Sequence, residues 1–374
     1  MTSRTVLLNP GPVTLTERVR AALTRGDWCH REPEFAALTK SIIARLERVY
    51  GDAASGHRAV LLTGSGTCAV EAMVASFVPR QSKTLVIANG VYGERIAGMV
   101  KAHRGRLVFL SLPWLTPVDL ETVEQYLSED TSISHVIAVH HETTTGRLND
   151  LERLGTLCAG YGRILLLDAV SSFGAEEIKF AEWNLGALAS TANKCLHGAP
   201  GIAFVLADER LLAQTRRDER PLYLDLRNYY AHQSGDGYSP YTQCVPGAFA
   251  LDEALDEHAE QGGWEGRRGK YRAIGSRIRE TLTSLDVDLL LPREAYSSAM
   301  YSYRLPQGLA YRSLHDRLKE RGFVIYAGQG RFANDVFRIA HMGDIRDGDV
   351  AALEKALTAF FGAEGGPECA KLSF

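Results

Sequence analysis

The feature that most limits this chain is an alternation. Short apolar runs, TLVIANG (84–90), HVIAVHH (135–141), RILLLDAV (163–170), LGALAST (185–191) and GIAFVLAD (201–208), are separated mostly by segments with helical spacing. Parallel neighbours in a sheet need a crossover, usually a helix, so this alternation predicts an α/β fold built on a mainly parallel sheet. The helices carry the expected punctuation. Thr67 is placed to cap the helix through CAVEAMVASFV, and Asp150 to cap LERLGTLCAGYG, which closes at Gly162.

The alternation stops near residue 210. From Pro246 a long helical stretch follows, with Gly262 and Gly263 as its expected break. SAMYSYRLP, GFVIYAG and VFRIAHMG then read as three short strands, interleaved with helical SLHDRLKERG and DGDVAALEKALTAFFG. The expected organisation is a large domain over 15–250 and a small α+β domain over 251–374, to which segment 1–14 is assigned.

Charge narrows the function. Forty-two basic and 45 acidic residues leave a net charge of −3, so no positive excess points to nucleic acid or an anionic membrane surface. No apolar run has the length of a membrane span or a signal segment, which makes the cytoplasm the expected location. The six cysteines form no CxxC pair, and reduced, buried thiols are expected rather than a disulfide framework or a metal site. The expected partner is a small molecule.

In an open parallel sheet ligands bind beyond the carboxyl ends of the strands, so polar residues just after the apolar runs come first. In LLTGSGTCAVEA, Ser65, Gly66 and Thr67 sit where free backbone N–H groups and the helix dipole would hold a phosphate; the same residues would serve a plain strand-to-helix turn. In NGVYGER, Tyr92 opens a helix beside two glycines and is either core packing or a plate for a flat ring. Asp168 ends the apolar run of LLLDAVSSFG, where a carboxylate needs a cation or several donors. Lys194, in TANKCLHGAPG, lies among small residues, and an amine in a tight, partly apolar pocket loses basicity and gains nucleophilicity.

A phosphate cradle, an aromatic plate, a strand-end aspartate and a lysine together suit pyridoxal 5'-phosphate. The lysine bonds its aldehyde, and the aspartate keeps its ring nitrogen protonated.

The order GSGT, NGVYG, HETTTG, DAVSSFG, ANKCLHGAPG and VFRIAHMG resembles the class V aminotransferases of fold type I over nearly the whole chain. Within that class DWCHREPEF, ETTTG and ANKCLHGAPG resemble the enzymes acting on 2-aminoethylphosphonate and pyruvate more than those using alanine or serine with glyoxylate. The resemblance implies a seven-stranded sheet between helices, Lys194 as the cofactor-bearing acid/base, and Asp168 at the ring nitrogen. It further implies Ser65, Gly66 and Thr67 at the phosphate, Tyr92 and Val170 at the ring, and Thr144 at the ring hydroxyl. Arg338, with Pro10 and Gly11, would meet the substrate; no metal is implied. A homodimer is implied in which Thr242 completes the neighbour's phosphate site. His141, before Glu142, departs from the family pattern, as do Gln243 and Cys244 after Thr242, and these leave the amino donor open. His30 and Arg31 stand as candidate second contacts to a phosphonate, or as a solvated loop.

Overall fold

A computed structural model describes residues 4–214 and 221–362. Its strands in chain order are β1 (Val6–Leu7), β2 (His57–Gly64), β3 (Lys83–Ala88), β4 (Arg106–Ser111) and β5 (Ile133–Val139). They continue as β6 (His141–Glu142), β7 (Arg147–Leu148), β8 (Ile164–Asp168), β9 (Leu185–Thr191) and β10 (Gly201–Asp208). The last are β11 (Met300–Arg304), β12 (Phe323–Val324), β13 (Tyr326–Ala327) and β14 (Val336–Ala340).

Seven strands form the main sheet in the order β2-β10-β9-β8-β5-β3-β4. All are parallel except β10, which runs against both its neighbours. The exception has a simple cause. Segment 192–200 between β9 and β10 is shorter than the crossover of about a dozen residues that parallel pairing requires. Helices cover both faces, so the central strands have no wet side. In β8, Leu165 and Leu167 enter one core cluster, which includes Ile42, Leu154 and Phe249. Leu166 between them enters the other, which includes Val70, Met73 and Val100. This period of two, with both faces buried, is why the strand reads as an unbroken apolar run.

The helical stretch after Pro246 divides as expected, into Val245–Glu260 and Gly263–Thr283, with Gly262 left-handed between them at φ 84°. Strands β11, β14 and β13 form an antiparallel sheet whose core cluster also takes in Val6 and Leu8. The N-terminal arm is laced to this layer. β1 pairs with β12, Leu8 O accepts from Ala340 N at 2.7 Å, and Thr14 O accepts from Asp344 N at 2.8 Å.

Three local readings change. The run GFVIYAG is not one strand; it splits at Ile325, giving β12 to the arm and β13 to the antiparallel sheet. β4 is not among the strands read from the sequence although LVFL (107–110) is an apolar run; it is an edge strand with exposed positions. The helix after β2 begins at Gly66 with Ser65 at the N-cap, so Thr67 lies inside its first turn. Asp150 does cap its helix, accepting from Arg153 N at 3.2 Å. The tail from Ala363 onward lies outside the described residues.

Candidate active site

The carboxyl ends of β9, β8 and β5 open into a cavity. Lys194 and Asp168 both line it, with Thr67, Tyr92 and Val170. Five residues from four separate motifs therefore line one cavity.

Lys194 is projected by a tight turn. His197 N donates to Lys194 O at 3.0 Å and Gly198 N to Ala192 O at 2.8 Å, with His197 left-handed at φ 65°. A β-carbon at Gly198 would stand 3.0 Å from that of Ala192, so the turn closes around a residue without a side chain. From behind, fully buried Arg267 donates to Cys195 O at 2.9 Å. Burial pulls the Lys194 amine down to about 8; the Arg338 charge helps, and Cys195 and Asp168 oppose. The ammonium donates to Pro10 O.

Asp168 behaves in the opposite sense. Burial pushes its carboxyl up to about 6, against the Val170 N hydrogen bond and the charges of Arg95 and Lys194. Oδ1 accepts from Val170 N at 3.0 Å; among the described residues no hydrogen bond reaches the other oxygen. It is therefore available to a cationic donor in the cavity.

The helix Gly66–Phe77 presents its first turn here, and no side chain caps it. Its leading N–H groups have no intrahelical acceptor. Gly66 packs against Val170, whose Cγ1 would lie 2.8 Å from a β-carbon at position 66. Tyr92 carries the Arg95 guanidinium 4.9 Å from its ring centroid, and Arg95 Nη1 lies 3.4 Å from Thr67 Oγ1.

Arg338, in β14, is 3% exposed. Its Nε donates to Ala327 O and its Nη1 to Thr143 O, both at 2.8 Å. Both of these acceptors are neutral carbonyls, and among the described residues no carboxylate lies within ion-pairing distance; the Glu142 carboxyl acts on the guanidinium from farther off.

The other expected site residues fall in different places. Pro10 and Gly11 lie against Lys194 itself. Thr144 does not line the cavity: its hydroxyl accepts from Val91 N at 3.0 Å and donates to Glu142 Oε1 at 2.6 Å, while Thr143 holds the wall position. Thr242 is exposed and away from the cavity, and His30 and Arg31 do not line it. Residues not singled out beforehand also contribute. Arg95, Ser171 and Thr143 line the cavity, and Arg95 was legible as one helical turn beyond Tyr92. Glu142 is fully buried, and burial pushes its carboxyl up to about 7.

The chain is similar to known proteins along nearly its whole length. It is 34% identical over 364 residues to 2-aminoethylphosphonate--pyruvate transaminase of Vibrio vulnificus (strain YJ016), covering 96% of this chain and 99% of that protein. It is 33% identical over 358 residues to the bifunctional phosphonoacetaldehyde hydrolase/aminoethylphosphonate transaminase of Clostridioides difficile (strain 630), covering 95% of this chain and spanning 56% of that longer protein. Among solved structures, alanine--glyoxylate aminotransferase from Nostoc sp. superposes with a TM-score of 0.88 at 26% identity, over 96% of this chain and 95% of that one. The family description "Aminotransferase class-V" matches residues 30–333. The fold, the lysine-bearing cavity and this match together place the chain in the class V aminotransferase family.

Proposed function

We propose that this protein transfers the amino group of 2-aminoethylphosphonate to pyruvate, giving phosphonoacetaldehyde and L-alanine, with pyridoxal 5'-phosphate as cofactor. The observation that carries the reading is the pairing of a softened amine, Lys194, with a buried guanidinium, Arg338, that among the described residues has no carboxylate within ion-pairing distance. The full-length relatives named as aminoethylphosphonate transaminases support this donor.

The cavity fits the cofactor. Uncapped N–H groups at Ser65, Gly66 and Thr67 suit its phosphate, the open oxygen of Asp168 suits its ring nitrogen, and Lys194 suits its aldehyde. When bound, pyridoxal phosphate supplies an aldehyde to carry the amino group and a ring that accepts the electron pair released at the amine-bearing carbon. Tyr92 and Val170 confine that ring. Lys194, partly neutral at working pH, removes the proton from the amine-bearing carbon and returns it elsewhere as a general acid. Asp168 stays ionised against a cationic ring nitrogen. Arg338 binds the phosphonate of the donor and the carboxylate of the acceptor in turn, because a planar fork of donors matches both anions.

The same reading makes the protein a cytoplasmic homodimer in which the partner subunit's Thr242 reaches the phosphate. It divides the chain into large and small domains. The test is an amino-donor screen with pyruvate as acceptor. Turnover of 2-aminoethylphosphonate is expected; turnover of alanine or serine without it would defeat the substrate assignment. A monomeric variant that held the cofactor as tightly as the native protein would defeat the shared site.

A further inference from the structure

His141 lies in β6, 3% exposed, on the cavity wall with Lys194, Asp168 and Ser171. Its Nδ1 is 2.9 Å from the carbonyl oxygen of Ser171. A carbonyl only accepts, so Nδ1 carries the ring proton and Nε2 is left with a lone pair. Nε2 is buried, and among the described residues it has no hydrogen-bond partner. A buried acceptor left unpaired is costly, and it calls for a donor on whatever fills the cavity.

The strand order says which part of the occupant that is, given the cofactor reading on which this inference rests. In pyridoxal phosphate the aldehyde stands opposite the ring nitrogen, and the hydroxyl and phosphate arms flank the aldehyde on opposite edges. Along the carboxyl ends of the sheet, β2 feeds the phosphate-binding helix, β9 leads to Lys194, β8 ends in Asp168, and β5 leads to His141. The phosphate edge faces β2, so the hydroxyl edge faces β5. We infer that His141 Nε2 is a cofactor-binding acceptor, holding the proton shared between the ring hydroxyl and the nitrogen that Lys194 contributes.

The groups that act on His141 leave that proton identifiable. The nearby titratable groups are Lys194 and His341, with His140 next in sequence and Asp168 across the cavity. Burial holds His140 down to about 3 and His341 down to about 4, so both are neutral near pH 7. His141 itself is held down to about 4 by burial first, against the hydrogen bond to Ser171 O, with Lys194 and His341 adding smaller downward effects.

The experiment uses the cofactor-loaded protein and reads the pH midpoint of its visible absorbance band. In His141→Asn the side-chain amide keeps the donor to Ser171 O but cannot reach the Nε2 position; in His141→Gln the longer amide restores an acceptor there. An acceptor favours the protonated form, so the midpoint in His141→Asn falls by about half to one pH unit, the worth of one hydrogen bond. Cofactor dissociation rises several-fold, and His141→Gln recovers part of both. An unchanged midpoint and affinity in His141→Asn overturns the inference, as does a larger loss in His141→Gln. Histidine ¹⁵N spectra of the native protein give the same answer without substitution: the Nε2 resonance shifts when pyridoxal phosphate joins the apoenzyme, and an unmoved resonance overturns the role. A native protein with no visible band at all overturns the cofactor reading instead, which separates the two failures.

Discussion

Gly11 lies so close to Lys194 that a β-carbon at position 11 would fall 2.5 Å from Cδ and 2.6 Å from Nζ of the lysine. The backbone there is left-handed at φ 112°, a region that L side chains avoid. Gly11→Ala is therefore expected to displace the lysine as well as strain the arm. A misplacement near 1 Å costs on the order of a hundredfold in rate. Steady-state kcat/KM checks this, and a variant with native kinetics would show that the arm yields freely.

The softened amine of Lys194 sets a pH dependence for cofactor capture. With its value at about 8 rather than 10.5, about one amine in ten is neutral at pH 7, against about one in three thousand for an ordinary lysine. The rate at which apoenzyme gains visible absorbance should climb up to about pH 8 and then level. A rate still rising tenfold per unit above about pH 9 would mean an ordinary amine.

Arg338 is expected to serve both substrates. Arg338→Ala removes a fork worth about 1.5–3 kcal/mol per charge-assisted hydrogen bond, so kcat/KM should fall by about two orders of magnitude for the amine and the oxo acid alike. Arg338→Lys should recover a fraction for each. Half-reaction kinetics decide it: a loss confined to one substrate would assign the other anion a different site.

Glu142 sets a pH dependence of stability. Burial raises its carboxyl from 4.5 to about 7, partly offset by hydrogen bonds from Thr144 and Gly93. Between those values the folded chain binds more protons than the unfolded one, so its contribution is fully present below about 4.5 and is lost as pH rises to 7. Glu142→Gln should remove a slope amounting to about 3 kcal/mol over that window, read as the difference between two urea-unfolding series. Parallel series would contradict it.

Glu176 joins the turn after β8 to the approach to β11. Its Oε1 accepts from Ser297 Oγ at 2.8 Å, Ser298 N at 2.6 Å and Ser298 Oγ at 2.8 Å, while Oε2 stands 3.2 Å from Arg268 Nε. Removing one partner of such a buried group costs about 3–5 kcal/mol. Glu176→Ala should lower the urea midpoint accordingly, and a loss under about 1 kcal/mol would make the network ornamental.

The parallel core was legible because burial on both faces leaves runs such as ILLL, up to Asp168, with no polar position to confuse them. β4 carries an apolar run as well, LVFL, but at the sheet edge Phe109 stays 40% exposed, so apolar content and burial part company there. Lys194, Asp168, Tyr92 and Thr67 were legible because each follows a strand in a distinctive local setting, and the sheet's geometry then had to bring them together. Thr143 and Thr144 could not be separated by sequence: adjacent threonines in the turn between β6 and β7 differ in which one Glu142 captures. The split at Ile325 depends on pairing with residues more than three hundred positions earlier, a relationship that local pattern does not carry.

The lacing of the N-terminal arm makes Pro10 and Arg338 passengers on one slab. Leu8 is tied to Ala340, two residues beyond the guanidinium, and the Pro10 carbonyl that receives the lysine follows two residues after Leu8. On the proposed reading, a shift of that slab toward an arriving anion would also carry the carbonyl relative to β9, so anion capture at Arg338 and release of the amine would be linked by a few residues of chain.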